Sequence, residues 1–359
     1  MPDAGERSYA YAKACGIIGK SFVGRRMTSL LSLRSLNELD RLVFPGAQRE
    51  LPGRELLVDL EKRITERSVS QIAAVLDSYE NPPEILCRLL RACEYADLKT
   101  CLNYMANGKK NIPSFTGIGR YATIKSEFFP NLEKMLEGTE FNFIPDEYTK
   151  SMQEGNFDIT VLETKLDSLY YNALKDSLLR LPGGDRFLAQ KIIADEISLL
   201  NCVWALRLRV YFKKSPDEIK KHLIDIKLPA AAGEISSVRY AQTGGASKEI
   251  SLAEQAVESL NKDMDLRSDW KGWKWEKFLN PEIPGQMWTV QPRYFQNAAS
   301  WHLFRLALKY FRISPFAVSA IFCYIKIKQF EEDILTSIAE GLGLGMPCAD
   351  VFSLLEVSP

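Results

Sequence analysis

Three glutamates stand in closely similar phrases: Glu94 in EYADLKTCLNYMANGKKNIP, Glu196 in EISLLNCVWALRLRVYFKKSP, and Glu331 in EEDILTSIAEGLGLGMP. Each lies in line with apolar residues at helical spacing: Leu90-Glu94-Leu98-Leu102, Ile193-Glu196-Leu200-Trp204, and Ile327-Glu331-Leu335-Ala339. A carboxylate on a buried stripe has two uses. It can carry protons, or it can join elements through an ion pair. Left without partners it would cost several kcal/mol. Each is therefore expected to meet an Arg or Lys, or to accept hydrogen bonds from a helix N-terminus. Nothing else titratable accompanies all three, so the structural use is the reading adopted.

Other catalytic chemistry is hard to assemble. The two histidines, His222 and His302, belong to no His-x-x-x-His or Glu-x-x-His spacing, and no metal or cofactor site is expected. His222 follows two lysines and is expected in solvent; His302, after Trp301, is expected packed or half-exposed. There is no Gly-x-Ser-x-Gly elbow and no phosphate loop of the Walker type. GIGR (117–120) lacks a third glycine and reads as a turn, while GLGLG (341–345) closes a helix, so its amides face the wrong way for a phosphate. Cys93 and Cys101 read as small apolar residues of a helix. An enzyme would need a pocket of convergent polar groups, and the place for one is near Arg293, Tyr294 and His302.

Two clusters suit partners better than substrates. WKGWKW (270–275) interleaves tryptophan and lysine and is expected as a packed or partner-facing corner. GRRMTSLLSLRS (24–35) puts Arg25, Arg26 and Arg34 near the start of a leucine-rich helix and is the candidate interface patch.

The formal net charge is zero, with 46 basic and 46 acidic residues, which argues against a polyanion such as nucleic acid as partner. Seven cysteines, an odd number with no Cys-x-x-Cys pair, fit a reducing compartment. The longest apolar run, FAVSAIFCYI (316–325), is about half of the ~20 residues a membrane span needs and reads as a core helix. The N-terminus has no long apolar region of a signal peptide. A cytoplasmic protein with no membrane span is expected, able to sit peripherally on a membrane complex.

Helical signals position these residues. Ser35 with Glu38 and Ser215 with Pro216 and Glu218 read as capping boxes. Helices are expected after Pro82-Pro83 and after Ser314-Pro315, and through RSVSQIAAVL. WTVQPRYF alternates weakly, but Pro292 demotes it as a strand. Breaks fall at 107–120, 181–185, 228–237 and 280–286, and QTGGASKE (242–249) reads as a mobile loop. The expectation is an all-α chain. The glutamates are 102 and 135 residues apart, and each helix ends in a basic or glycine-rich exit followed by Pro113, Pro216 or Pro347. That spacing points to a triplicated helical unit over residues 1–120, 121–235 and 236–359, the last carrying an insertion.

The chain resembles the C-type subunit of the bacterial and archaeal A/V-type rotary ATPases, whose counterpart in the eukaryotic vacuolar enzyme is the d-type subunit. The resemblance rests on YAYAKACGIIGKSFVGRRMTSLLSLRSLNELDRLV (9–43), on the three acidic phrases, and on the C-terminal SPFAVSAIFCYIKIKQFEEDILTSIAEGLGLGMPCADV. The family's Asn is replaced in all three phrases, by Asp97, Leu199 and Ile334, which marks a divergent member. The resemblance implies three similar helical domains in a funnel with pseudo-three-fold arrangement. It also implies a non-catalytic adaptor that joins a membrane ring of proteolipid subunits to central-shaft subunits of D and F type, transmitting torque for H⁺ or Na⁺ transport. A helical scaffold that binds a peptide or protein is the alternative.

Overall fold

The computed structural model describes residues 2–109, 113–153, 159–229 and 249–355. The fold is all-α. An N-terminal group comprises α1 (Ala4–Ile18) and α2 (Leu36–Val43), followed by α3 (Gly53–Leu76), α4 (Glu84–Leu90) and α5 (Ala92–Ala106). The middle holds α6 (Leu132–Leu136), α7 (Ile144–Gln153), α8 (Ile159–Leu179), α9 (Gly183–Val210) and α10 (Pro216–Lys220). The last third holds α11 (Glu254–Ser259), α12 (Pro292–Ile313), α13 (Val318–Gly343) and α14 (Cys348–Leu355). The sequence pattern did not reveal one feature: a two-stranded antiparallel pair, β1 (Lys227–Pro229) on β2 (Glu249–Ser251), in which Leu228 faces Ile250. Each strand has only three residues, too few for alternation to register. The expected mobile loop at 242–249 lies outside the described residues except for Glu249, and so does most of 228–237.

Local chemistry explains the helix starts. Asp3 and Ser215 each close a full capping box, with Glu6 and Glu218. The box expected at Ser35 forms by half: Ser35 Oγ accepts from Glu38 N, but the Glu38 carboxylate accepts from Arg34 N instead of Ser35 N. Prolines sit at or just before several starts, Pro52, Pro83, Pro182 and Pro292, where a missing N–H costs nothing. The helix expected directly after Pro315 begins three residues later, at Val318, because Phe316 turns into the left-handed region (φ 65°). The Arg25 segment is a short 3₁₀ helix, Gly24–Leu30, and not the start of a long α-helix.

Three helix pairs follow one another along the chain, α3 with α4 and its continuation α5, α8 with α9, and α12 with α13, while the most extensive packing is of α12 on α13, α3 on α13 and α12 on α9. The first helix of each pair also packs on the second helix of a different pair: α3 on α13, α8 on α4 and α5, and α12 on α9. This contact order closes on itself. α13 touches α4 and α9 as well, and every residue from Val318 to Ile325 is buried, so its apolar run is core as expected. No described helix is long and apolar enough to cross a membrane. One buried apolar cluster runs from Ala10 to Phe352 and draws on all three thirds of the chain. A smaller cluster gathers Trp270, Trp273 and Trp275 against α9 and Phe295 of α12, the packed corner that the sequence indicated.

Close approach, not backbone freedom, explains one glycine of the GLGLG run. A Cβ at Gly341 would come within 2.3 Å of Val351 Cγ2 on α14. Gly341→Ala would gain about 1 kcal/mol of helix propensity but incur about 1–3 kcal/mol of overpacking. A net loss of stability is expected, read as a lower urea midpoint. Val351→Ala in the same background should recover it.

Candidate functional site

The most connected polar site lies where the third glutamate meets the N-terminal segment. Glu331 and Lys328, one turn apart on α13, are each 1% exposed and form an ion pair. Arg67 of α3 reaches the Glu331 carboxylate at 3.4 Å, and Phe22 N donates to it at 2.8 Å. Lys328 Nζ also lies 3.2 Å from Ser21 Oγ. The α13 pair, α3 and the N-terminal segment are thus tied at one buried carboxylate. Its surroundings move both pKa values down. Burial alone would raise Glu331, but the Lys328 and Arg67 charges outweigh it. For Lys328, burial lowers the value and Glu331 only partly restores it.

This knot positions the candidate interface patch. Ser21 and Phe22 are pinned, Phe22 is flanked by the guanidinium groups of Arg67 and Arg26, each 5.6 Å from its ring, and the 3₁₀ turn follows at once. Met27 and Leu30 turn inward; Arg25 and Arg26 turn outward and are exposed, as is Arg34. Among the described residues none of the three makes a carboxylate ion pair. They form a cationic face held by a buried node, 297 or more residues away in sequence from the glutamate that fixes it.

The other two glutamates are satisfied differently. Glu94, 4% exposed, accepts from Thr123 N (2.5 Å), Ile124 N (2.8 Å) and Thr123 Oγ1 (2.8 Å). Its partners are loop amides and a hydroxyl, neither a cation nor a helix N-terminus as expected. One turn later Asp97 holds Thr116 in the same way, through N (2.7 Å) and Oγ1 (3.1 Å). Glu196 is half-buried and meets Lys326 of α13 at 2.8 Å. Its stripe opens outward: Leu200 is half-buried and Trp204 is 41% exposed. Helical spacing alone could not tell this exposed tryptophan from a core one.

The region near Arg293, Tyr294 and His302 does contain a groove, lined by Tyr294 and His302, while Arg293 points away to solvent. His302 Nε2 lies 3.1 Å from Asp195 Oδ2. Asp195 is buried, yet the His302 hydrogen bond and the Lys191 and Lys274 charges hold its carboxyl below the usual value. No serine, threonine or cysteine lines the groove. His222, expected in solvent, is half-buried. Cys101 is buried and Cys93 half-buried on α5.

Removing one partner from the Glu331 node leaves a buried charge. Glu331→Ala should cost about 3–5 kcal/mol, and the double change Lys328→Met with Glu331→Leu should cost less than the sum of its two single changes. Urea unfolding of these variants beside the parent checks this. Asp333, two residues on, carries the opposite sign. It is open to solvent, but nearby protein and then Glu332 raise its carboxyl to about 7 from an ordinary 3.8. A raised carboxyl favours the fold when protonated, and that contribution is lost as pH rises through about 7. Asp333→Asn should therefore stabilise the protein at about pH 8 relative to the parent and have little effect at about pH 4, measured by thermal unfolding across that range.

Comparison with known proteins bears on the whole assembly of helix pairs. The family model described as "ATP synthase (C/AC39) subunit" matches residues 49–351. That span holds all three long pairs and the three glutamates; Arg25, Arg26 and Arg34 precede it. The chain is also similar to an uncharacterized protein of Treponema pallidum (strain Nichols), 25% identical over 342 residues, covering 94% of this chain and 92% of the relative. The match extends over most of the described fold, and the chain belongs to the ATP synthase (C/AC39) subunit family.

Proposed function

We propose that this V/A-type ATPase component is a non-catalytic central-stalk adaptor. In this reading it seats central-shaft subunits of D and F type on a proteolipid rotor ring and transmits torque between ATP turnover and H⁺ or Na⁺ transport, on the cytoplasmic face of the membrane. The observation that carries the reading is the closed contact order of the three helix pairs. Repeat units of about 1–120, 121–235 and 236–359, each giving one long pair, would produce that order if arranged around a pseudo-three-fold axis.

Two further observations support it. The starts of α4, α9 and α13 meet the start of α1 around a cavity of about 530 Å³. There Glu6 accepts from Glu80 N at 2.7 Å, and Asp185 of α9 caps Ser319 of α13 at 3.0 Å (N) and 2.8 Å (Oγ). Interlocked turns suit a part that must not shear. A hollow bounded by the second helices would receive the tip of a shaft. The exposed arginines at 25, 26 and 34 are the patch we assign to a partner.

Co-expression with shaft and ring subunits tests the reading. The chain is expected to co-purify with both. Isolation as a lone monomer in their presence would oppose it. Arg25→Glu with Arg26→Glu should weaken that association by about tenfold or more while moving the unfolding midpoint little, because both side chains are exposed and Arg26 gives up only a ring contact with Phe22. Association unchanged by charge reversal would move the interface elsewhere.

A further inference from the structure

The groove on α12 has a chemistry that the stalk role does not use. It encloses about 560 Å³, within the range of small-molecule sites. Three of its lining residues are cations, Lys277, Arg305 and Lys309, and none is an Asp or Glu. Elsewhere the chain pairs many of its cations with carboxylates, as Arg63, Arg88, Arg91 and Lys326 show. Among the described residues these three make no carboxylate ion pair; Arg305 instead lies 5.9 Å from the Trp301 ring. The chain as a whole carries no net charge, so this is a local excess. Asp195 beneath it is already engaged by His302, Lys191 and Lys274.

The groove is also polarised. Tyr294, Trp301, Arg305 and Lys309 follow one face of α12 at i, i+7, i+11 and i+15, a length of about 22 Å. Tyr294 and Trp301, joined by Phe278, supply rings toward the N-terminal half, Arg305 and Lys309 follow toward the C-terminal half, and Lys277 stands 5.5 Å from the Phe278 ring between them and solvent. Cations near a helix C-terminus offset its dipole, which accounts for Lys309 alone. It does not account for Lys277, which comes from another segment.

We propose that this groove binds a small organic phosphate with a planar ring, a nucleotide-like molecule whose ring stacks on the aromatic half and whose phosphates meet Lys277, Arg305 and Lys309. Aromatic stacking and charge-assisted bonds to phosphate each recognise one end of such a ligand. The site lies apart from the arginine patch and does not depend on the stalk reading.

Titration of the full-length chain with ATP, free of added divalent metal, tests this by calorimetry and tryptophan fluorescence. Saturable binding of one ATP per chain is expected, weakening as salt rises. Pyrophosphate lacks the ring and adenosine lacks the charge; each should bind about tenfold or more weaker than ATP. Arg305→Ala with Lys309→Ala, confirmed folded by circular dichroism, should weaken ATP by about tenfold or more. Trp301→Ala, which removes the ring, should weaken it by about fivefold or more. The proposal fails if no saturable binding occurs, if pyrophosphate binds as tightly as ATP, or if the double variant binds ATP as well as the parent.

Discussion

The carboxylate of Glu331 is the constraint on which much of the molecule depends. It is almost wholly buried, so its charge must be answered locally, and the answers come from different parts of the chain: Lys328 on the same helix, Arg67 on α3, and the amide of Phe22. The pairing fixes α13 against α3 and holds the N-terminal segment beside them. The exposed arginines at 25 and 26 inherit their place from it. Such a node gives weak net stability, because desolvating two ions roughly cancels their attraction. Its value is specificity: other packings of α3 on α13 would leave a charge unanswered.

Around that node the helix pairs share one apolar core. Each first helix is clasped by the second helix of another pair, so no pair can move without disturbing a neighbour. Dense packing of this kind deforms little and transmits strain. The loops are fastened by the same use of carboxylates. Glu94 and Asp97 hold residues 123–124 and 116, and Asp185 caps the start of α13. The torque transmission proposed for it asks for little else from the chain.

Much of this was legible in the sequence. Prolines and capping residues marked the starts of α4, α10 and α13 to within a few positions, and the apolar run at 316–325 declared itself as core, which holds from Val318 onward while Phe316 is exposed. The repeated phrases directed attention to the right helices, since Glu94, Glu196 and Glu331 lie on the second members of the three long pairs. The family resemblance was carried by residues 9–43 as well as by those helices, and the match over residues 49–351 agrees with the part that the helices carry. What stayed hidden were relations between distant segments. Nothing near Glu94 announces Thr123, and nothing near Glu331 announces Arg67 or Phe22. Periodicity assigned Trp204 to the core because spacing fixes a face but not what covers it. The cation-lined groove needed α12 and residue 277 brought side by side.

The central claim, that this protein couples two machines without performing chemistry, is tested most directly by assembling the ATPase in vesicles with and without the chain and measuring ATP hydrolysis and ion uptake together. The account predicts that omission abolishes ion uptake while the catalytic subunits go on hydrolysing ATP. Ion uptake that persists at the full rate without the chain would contradict it.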